Sequence, residues 1–236
     1  MHFIKYLCIH FRRPQLMQMD ETTFIVIAAQ LRKPEGTAGI ETGLQMNQSN
    51  RHMNLFAIEA LRMQENDKVL EIGMGNGEFI REIIGVHPSV RYTGADYSAT
   101  MIDEATKRNQ QAITDGQVEF VLSTANFLPF EDNTFDKVLC VNTLYFWEPV
   151  AELSELRRVL KPGGILVAAI RPKSIMENFP FTQYGFTLYS DESLSQTLSA
   201  AGFAVGDLII RQEPEVQVDD RKHTFTTVIA VAEAKK

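Results

Sequence analysis

The stretch that decides the fold is Val69-Leu70-Glu71-Ile72-Gly73-Met74-Gly75-Asn76-Gly77-Glu78-Phe79. A short apolar run, Lys68 to Gly73, predicts a strand, and the apolar positions Phe79, Ile80, Ile83 and Ile84 predict a helix over Glu78 to Val86. Three glycines at alternate positions join the two, letting backbone approach a ligand without interference from a Cβ. The following helix points its first N–H groups at the same crevice. In open α/β sheets that crevice, beyond the carboxyl ends of the strands, is where ligands bind.

The spacing restricts the ligand. A dinucleotide fingerprint needs GxGxxG. Here Glu78 holds the place of the third glycine, and Gly77 comes one residue early. Glu71 and Glu78 are thus expected to put carboxylates where a pyrophosphate would sit, so the site should repel a polyanion and attract a cation. S-adenosylmethionine, with a sulfonium, an ammonium and no phosphate, suits that field. Asp96 ends the next strand, Arg91 to Ala95, about 20 residues past the glycines, where a carboxylate accepts bonds from ribose hydroxyls.

Outward from this core the signals alternate. Asn50 is a candidate cap for a helix to about Met63, with Met53, Phe56, Ala57, Ala60 and Leu61 on one face. Ser98 caps a helix to about Ala112. Val118–Leu122 and Lys137–Val141 are strands, Pro149 opens a helix to Leu160, and Ile165–Ile170 is a fifth strand. Continuous apolar strands between helices mean a parallel sheet covered on both faces. After a helix over Asp191–Ala201, two long strands, Val205–Gln212 and Thr224–Ala232, are expected to pair antiparallel. Gly36–Asn50, polar with three glycines, reads as loop with a helical turn at most.

These residues, with Leu128 to Asp136 and Leu156-Arg157-Arg158-Val159-Leu160-Lys161-Pro162-Gly163-Gly164, closely resemble the class I S-adenosylmethionine-dependent methyltransferases. The nearest branch looks like the small-molecule one typified by quinone-biosynthesis C-methyltransferases. The resemblance runs from about Asn50 to the C-terminus. It implies a Rossmann-like α/β fold: a seven-stranded, mostly parallel sheet of order 3-2-1-4-5-7-6, strand seven antiparallel, with helices on both faces. It implies that Gly73, Met74, Gly75 and Gly77 pack against the cofactor's methionine and ribose, that Glu71 holds its ammonium group, and that Asp96 binds the ribose diol. Tyr97 and Met101 would flank the adenine, with Thr124, Ala125 and Asn126 at its edge and Asn142 and Thr143 at the methionine end. The family usually has an aspartate where this chain has Thr124, and a threonine hydroxyl still accepts a hydrogen bond.

Residues 1–49 are expected to be a leader and lid segment and residues 50–236 the methyltransferase domain. Tyr145 and His52 are the candidate catalytic residues, although displacement at an activated methyl carbon can proceed on alignment alone, with no acid or base. The aromatic stretch after the fifth strand, Phe179 to Tyr189, suggests an apolar or aromatic small-molecule acceptor.

Two cysteines without CxxC spacing give neither a zinc site nor a disulfide framework, and Cys140 sits in an apolar run as a small hydrophobe. A net charge of −7 speaks against nucleic acid as partner. No apolar run approaches the ~20 residues of a membrane span, so a cytoplasmic monomer or homodimer with no stable membrane insertion is expected. Met1–Asp20 reads as a disordered leader, with a basic amphipathic membrane contact as the other reading and Met17 or Met19 as alternative starts. The alternative function is a non-catalytic S-adenosylmethionine-binding or assembly protein of the same fold.

Overall fold

The structure, a computed structural model, describes residues 19–218 and 221–235. The leader reading of residues 1–18, with Met17 as an alternative start, lies outside those residues.

Strands β1 (Lys68–Ile72), β2 (Arg91–Asp96), β3 (Val118–Leu122), β4 (Phe135–Val141) and β5 (Leu160–Ile170) pair in parallel in the order β3-β2-β1-β4-β5. The expected sixth strand is broken into β6 (Phe203–Val205) and β7 (Ile209–Gln212). Both pair antiparallel with β10 (Thr226–Ala234), which lies antiparallel beside β5. The order is therefore the expected one, with β10 as the antiparallel seventh position and the sixth divided at Gly206-Asp207-Leu208. The connection expected to be plain loop carries its own small hairpin, β8 (Val216–Val218) with β9 (Arg221–His223).

Two apolar layers flank the sheet. Leu70, Ile72, Val138, Cys140, Leu166 and Ala168 face one way, toward the helices α7 (Pro149–Val159) and α9 (Asp191–Ala200). Val69, Leu139, Val167 and Ala169 face the other, toward α3 (Arg51–Leu61) and α4 (Ile80–Ile84). The period of two along each strand assigns the layers. Glu71, in step with Val69, thus belongs to the second face, and so does Asp96, in step with Tyr92.

Three helical expectations change. Gly36–Ser49 is a full helix, α2, and not a loop. Its inward face is Gly39, Thr42, Gly43 and Ser49, so no apolar period announces it. A Cβ at Gly39 would sit 2.4 Å from the Pro34 carbonyl carbon, and small residues are what let this helix lie so close. Before it, α1 (Glu21–Arg32) is capped by Asp20 and buries Phe24, Ile27 and Ala28 against Phe181. Asn50 separates α2 from α3 but makes no side-chain cap bond. The helix opened by Ser98 stops at Arg108 (α5, Ala99–Arg108), and a short α6 (Gln110–Thr114) follows. Asn109 breaks it because its amide donates to the carbonyls of Gly77 and Ala105, at 3.1 and 3.0 Å. A short helix, α8 (Lys173–Met176), follows β5. Among the described residues no helix is long and apolar enough to cross a membrane.

One buried ion pair stitches the C-terminal hairpin to the rest. Arg171, at the end of β5, donates to both carboxylate oxygens of Glu213 (2.7 and 3.2 Å) and to the Ser49 carbonyl (3.0 Å). Thr227 also donates to Glu213, at 2.6 Å, and the guanidinium lies over the Phe225 ring, 4.7 Å from its centre. Removing one partner strands the other charge in the interior. Glu213→Ala is therefore expected to cost about 3–5 kcal/mol in urea unfolding, and Arg171→Met/Glu213→Leu to recover most of that. A single variant within about 0.5 kcal/mol of the parent would show that the pair is not holding the hairpin.

Candidate functional site

One cavity of about 430 Å³ lies beyond the carboxyl ends of β1, β2 and β4, under α1 and α2. Its floor is the glycine turn. Gly73 has φ +72° and its backbone amide donates to the Ala95 carbonyl at 2.7 Å, so the turn folds back onto β2. A Cβ there would lie 2.3 Å from the Thr143 methyl group, so any other residue would have to displace that side chain and also bear the left-handed backbone. Gly75, at φ +58°, has open space where its Cβ would be and presents bare backbone to the cavity. Gly77 differs from the expectation: it does not line the cavity. Its φ is +69°, and its Cα faces away, toward Asn109 and Ala105, so it lets the turn pack on α5.

Two buried carboxylates face the cavity. Glu71 accepts the Tyr92 hydroxyl at 2.6 Å. Burial pushes its pKa up to about 7, held back by that hydrogen bond and raised further by Asp96 nearby. Asp96 accepts the backbone N–H of Ser98 (2.9 Å) on one oxygen and of Gly75 (3.1 Å) on the other. Burial raises its pKa to about 6 against those two bonds.

Glu78 is not the second carboxylate of the site. It sits outside the cavity, paired with Arg108 and within 3.4 Å of the Asn47 amide, and the helix after it begins only at Ile80. The charge it was expected to lend the crevice is neutralised. The third carboxylate comes instead from Glu152 on α7, which is buried (9% exposed) and lines the cavity. The sequence reading passed over it. Yet Glu152 stands four residues before Leu156 and seven before Val159, on the stripe that α7 buries. A carboxylate on a core-facing stripe was the available signal.

The other expected residues divide clearly. Met74, Tyr97, Met101, Thr124, Ala125, Asn126, Asn142 and Thr143 all line the cavity. Asn142 adopts φ +57°, turning the chain sharply at the end of β4. The Tyr97 hydroxyl donates to the Arg32 carbonyl, Ser98 donates to the Pro34 carbonyl, and the Gly36 amide donates to Thr100 at 3.1 Å. These bonds tie the turn between α1 and α2 to the β2 end. His52 is on α3, half-buried, near Phe56 and away from the cavity. Tyr145 lines the cavity, but its hydroxyl is already engaged, accepting the Arg171 N–H at 2.6 Å and donating to the Arg171 carbonyl at 2.9 Å. Burial drives its pKa far above the usual tyrosine range, and both bonds hold the hydroxyl against the end of β5. Cys140 is buried and its thiol pKa is likewise raised by desolvation.

The far wall is aromatic. Phe186 packs against Tyr145, Phe146 and Phe181 with ring centres 6.0, 4.7 and 5.8 Å away, and Trp147, Phe179 and Phe225 extend the surface.

Comparison with known proteins agrees with this geometry. Residues 70–168 match a family described as a methyltransferase domain. The chain is 25% identical over 179 residues to the uncharacterised methyltransferase YdaC of Bacillus subtilis, covering 75% of this chain and 93% of that one. It is 36% identical over 121 residues to the ubiquinone/menaquinone biosynthesis C-methyltransferase UbiE of Desulfotalea psychrophila. That match covers 50% of this chain and 48% of the relative, so the chain matches about half the length of the UbiE protein. Among solved structures, the methyltransferase bound to the Trm112 activator of Haloferax volcanii superposes with a TM-score of 0.69 at 23% identity, over 82% of this chain and 93% of that one.

A folded-state pKa of about 7 for Glu71, against 4.5 for the free group, means that its contribution to stability is present below about pH 4.5 and is lost as pH rises through 7. The loss amounts to about 3 kcal/mol at most, from ~1.4 kcal/mol per pKa unit. Glu71→Gln does not titrate there and keeps an acceptor for Tyr92. It is expected to be more stable than the parent at pH 8, with the gap closing toward pH 5, read by urea unfolding at both values. A pH-independent gap would contradict the desolvation argument.

Proposed function

We propose that this chain, a class I S-adenosylmethionine-dependent methyltransferase, transfers the methyl group to a small apolar or aromatic acceptor held against the wall of Phe146, Trp147, Phe179 and Phe186. The observation that carries the reading is the pair of buried carboxylates, Glu71 and Asp96, on one face of the sheet beside a turn of bare backbone, with no side-chain cation bonded to either among the described residues. A cationic nucleoside fits such a place.

When bound, S-adenosylmethionine supplies a methyl group on a positively charged sulfur, already activated for displacement. The chain's own residues do the rest. Glu71 faces the ammonium group, and Asp96 accepts from the ribose hydroxyls while its two backbone bonds hold it in position. Tyr97 and Met101 flank the adenine, Thr124, Ala125 and Asn126 border it, and Asn142 and Thr143 stand at the methionine end. Gly73, Met74 and Gly75 offer backbone close to the ligand, and Gly77 supports the turn from behind. Tyr145 fixes the β5 end, and neither it nor His52 is assigned a proton. The helices within residues 21–49 act as the lid of a methyltransferase domain spanning residues 50–236, excluding water from the methyl transfer. The aromatic wall supports an acceptor with an apolar body. We place the protein in the cytoplasm, where the buried thiol of Cys140 stays reduced.

Calorimetry with S-adenosylmethionine, S-adenosylhomocysteine and NAD should show binding of the first two and none of the third. Asp96→Ala is expected to weaken binding by about 100-fold or more, since hydrogen bonds to a charged group are worth about 1.5–3 kcal/mol each. Unchanged affinity in that variant would refute the ribose assignment. A bound cation favours ionised carboxylates, so S-adenosylmethionine affinity should fall as pH drops through about 7 and about 6. An affinity that is flat between pH 8 and 5.5 would count against Glu71 as the ammonium partner.

A further inference from the structure

The cavity holds a carboxylate that the cofactor assignment does not use. Glu152 projects from α7, the helix packed on the sheet face opposite to that of Glu71 and Asp96. Its side chain is nine-tenths buried, it lines the cavity, and its Oε2 has no hydrogen-bond partner. Burying a carboxylate oxygen unpaired is costly, and natural sequences avoid it unless something completes the pair. No cation among the described residues does so. Arg171 spends its charge on Glu213, and the exposed Arg32, the other arginine of the cavity wall, donates to the Phe146 carbonyl.

Charge counting separates Glu152 from the cofactor. With Glu71 given to the ammonium and Asp96 to the ribose, Glu152 Oε2 still has no partner among the described residues. Its neighbours are aromatic. Burial raises the Tyr189 pKa and the nearby Glu152 adds to the rise, and the wall of Phe146, Trp147, Phe179 and Phe186 borders the same space. Aromatic faces beside a desolvated carboxylate form a receptor for an organic cation, through ring quadrupole and ion pairing together.

We propose that the methyl acceptor carries a protonated nitrogen beside its apolar body, and that Glu152 is the specificity residue that binds this nitrogen. The proposal rests on the methyltransferase reading above and names its substrate class. Phenols and other neutral aromatics of the same size would leave the carboxylate unpaired and are discriminated against, as a site built for a polar group rejects the analogue lacking it.

Trp147 is the chain's single tryptophan and lines the cavity, so its fluorescence reports occupancy without turnover. The test titrates benzylamine and its neutral counterpart benzyl alcohol into the full-length protein saturated with S-adenosylhomocysteine. Benzylamine should bind at least about tenfold tighter than the alcohol, and Glu152→Gln should erase that preference while leaving alcohol binding and S-adenosylhomocysteine affinity within about twofold. Equal binding of the two probes to the parent protein would overturn the proposal, and this arm needs no variant to fold. A Glu152→Gln protein that keeps the amine preference, or that loses instead the discrimination between S-adenosylmethionine and S-adenosylhomocysteine, would overturn it too, the latter by showing that the carboxylate faces the sulfonium. Failure of S-adenosylhomocysteine to bind at all would refute the methyltransferase reading itself.

Discussion

The constraint on which the site depends is the buried hydrogen bond between Tyr92 and Glu71. Two neighbouring strands each contribute a polar side chain to a face that is otherwise apolar, and each satisfies the other. The hydroxyl cannot ionise in that position, because burial and two nearby carboxylates drive its pKa upward, so it remains a donor. It keeps Glu71 in one place under the glycine turn while leaving the carboxylate short of full compensation. Everything the turn does for a ligand is organised around that incomplete charge. The bare backbone of Gly75, the anchored carboxylate of Asp96 and the tight contact of Gly73 on Thr143 all converge on the same few ångströms of space.

The parallel core and the glycine turn were legible because their signals are local. Strands buried on both faces are apolar in near-continuous runs, and a turn that holds positive φ at three positions favours glycine there. The order of the sheet came from a family resemblance combined with the two C-terminal strands, and β10 beside β5 matches it. The failures share a cause as well. Helix α2 buries small and polar residues against the glycine turn, where a Cβ at Gly43 would come within 3.3 Å of Met101 and Asn76. Amphipathic patterning sees only apolar stripes, so a helix whose closeness matters more than its hydrophobicity is invisible to it. Glu78 and Glu152 were misjudged in opposite directions for a related reason. Proximity in sequence to a motif says little about which way a carboxylate points, and Arg108, thirty residues away, decides the matter for Glu78.

Tyr145 shows how much a residue's setting depends on partners distant in sequence. A tyrosine at the end of the fourth strand looks like a proton donor or acceptor. In the fold its hydroxyl closes a loop of two hydrogen bonds with the backbone of Arg171, whose guanidinium reaches Glu213 and the end of α2. The residue thus links the cavity wall to the hairpin and to the covering helices. The aromatic lining and the cover are thus joined by one chain of hydrogen bonds running through Arg171.

The unneutralised carboxylates have a consequence beyond binding. A chain that keeps negative charge desolvated is at its weakest when empty and gains most when filled, because a ligand that binds only the folded form draws the equilibrium toward it. Inside a cell, marginal molecules are continually removed by proteases and chaperones. An occupied cavity should therefore lengthen the life of the folded chain, and the burial of Glu71 sets how much an occupant adds.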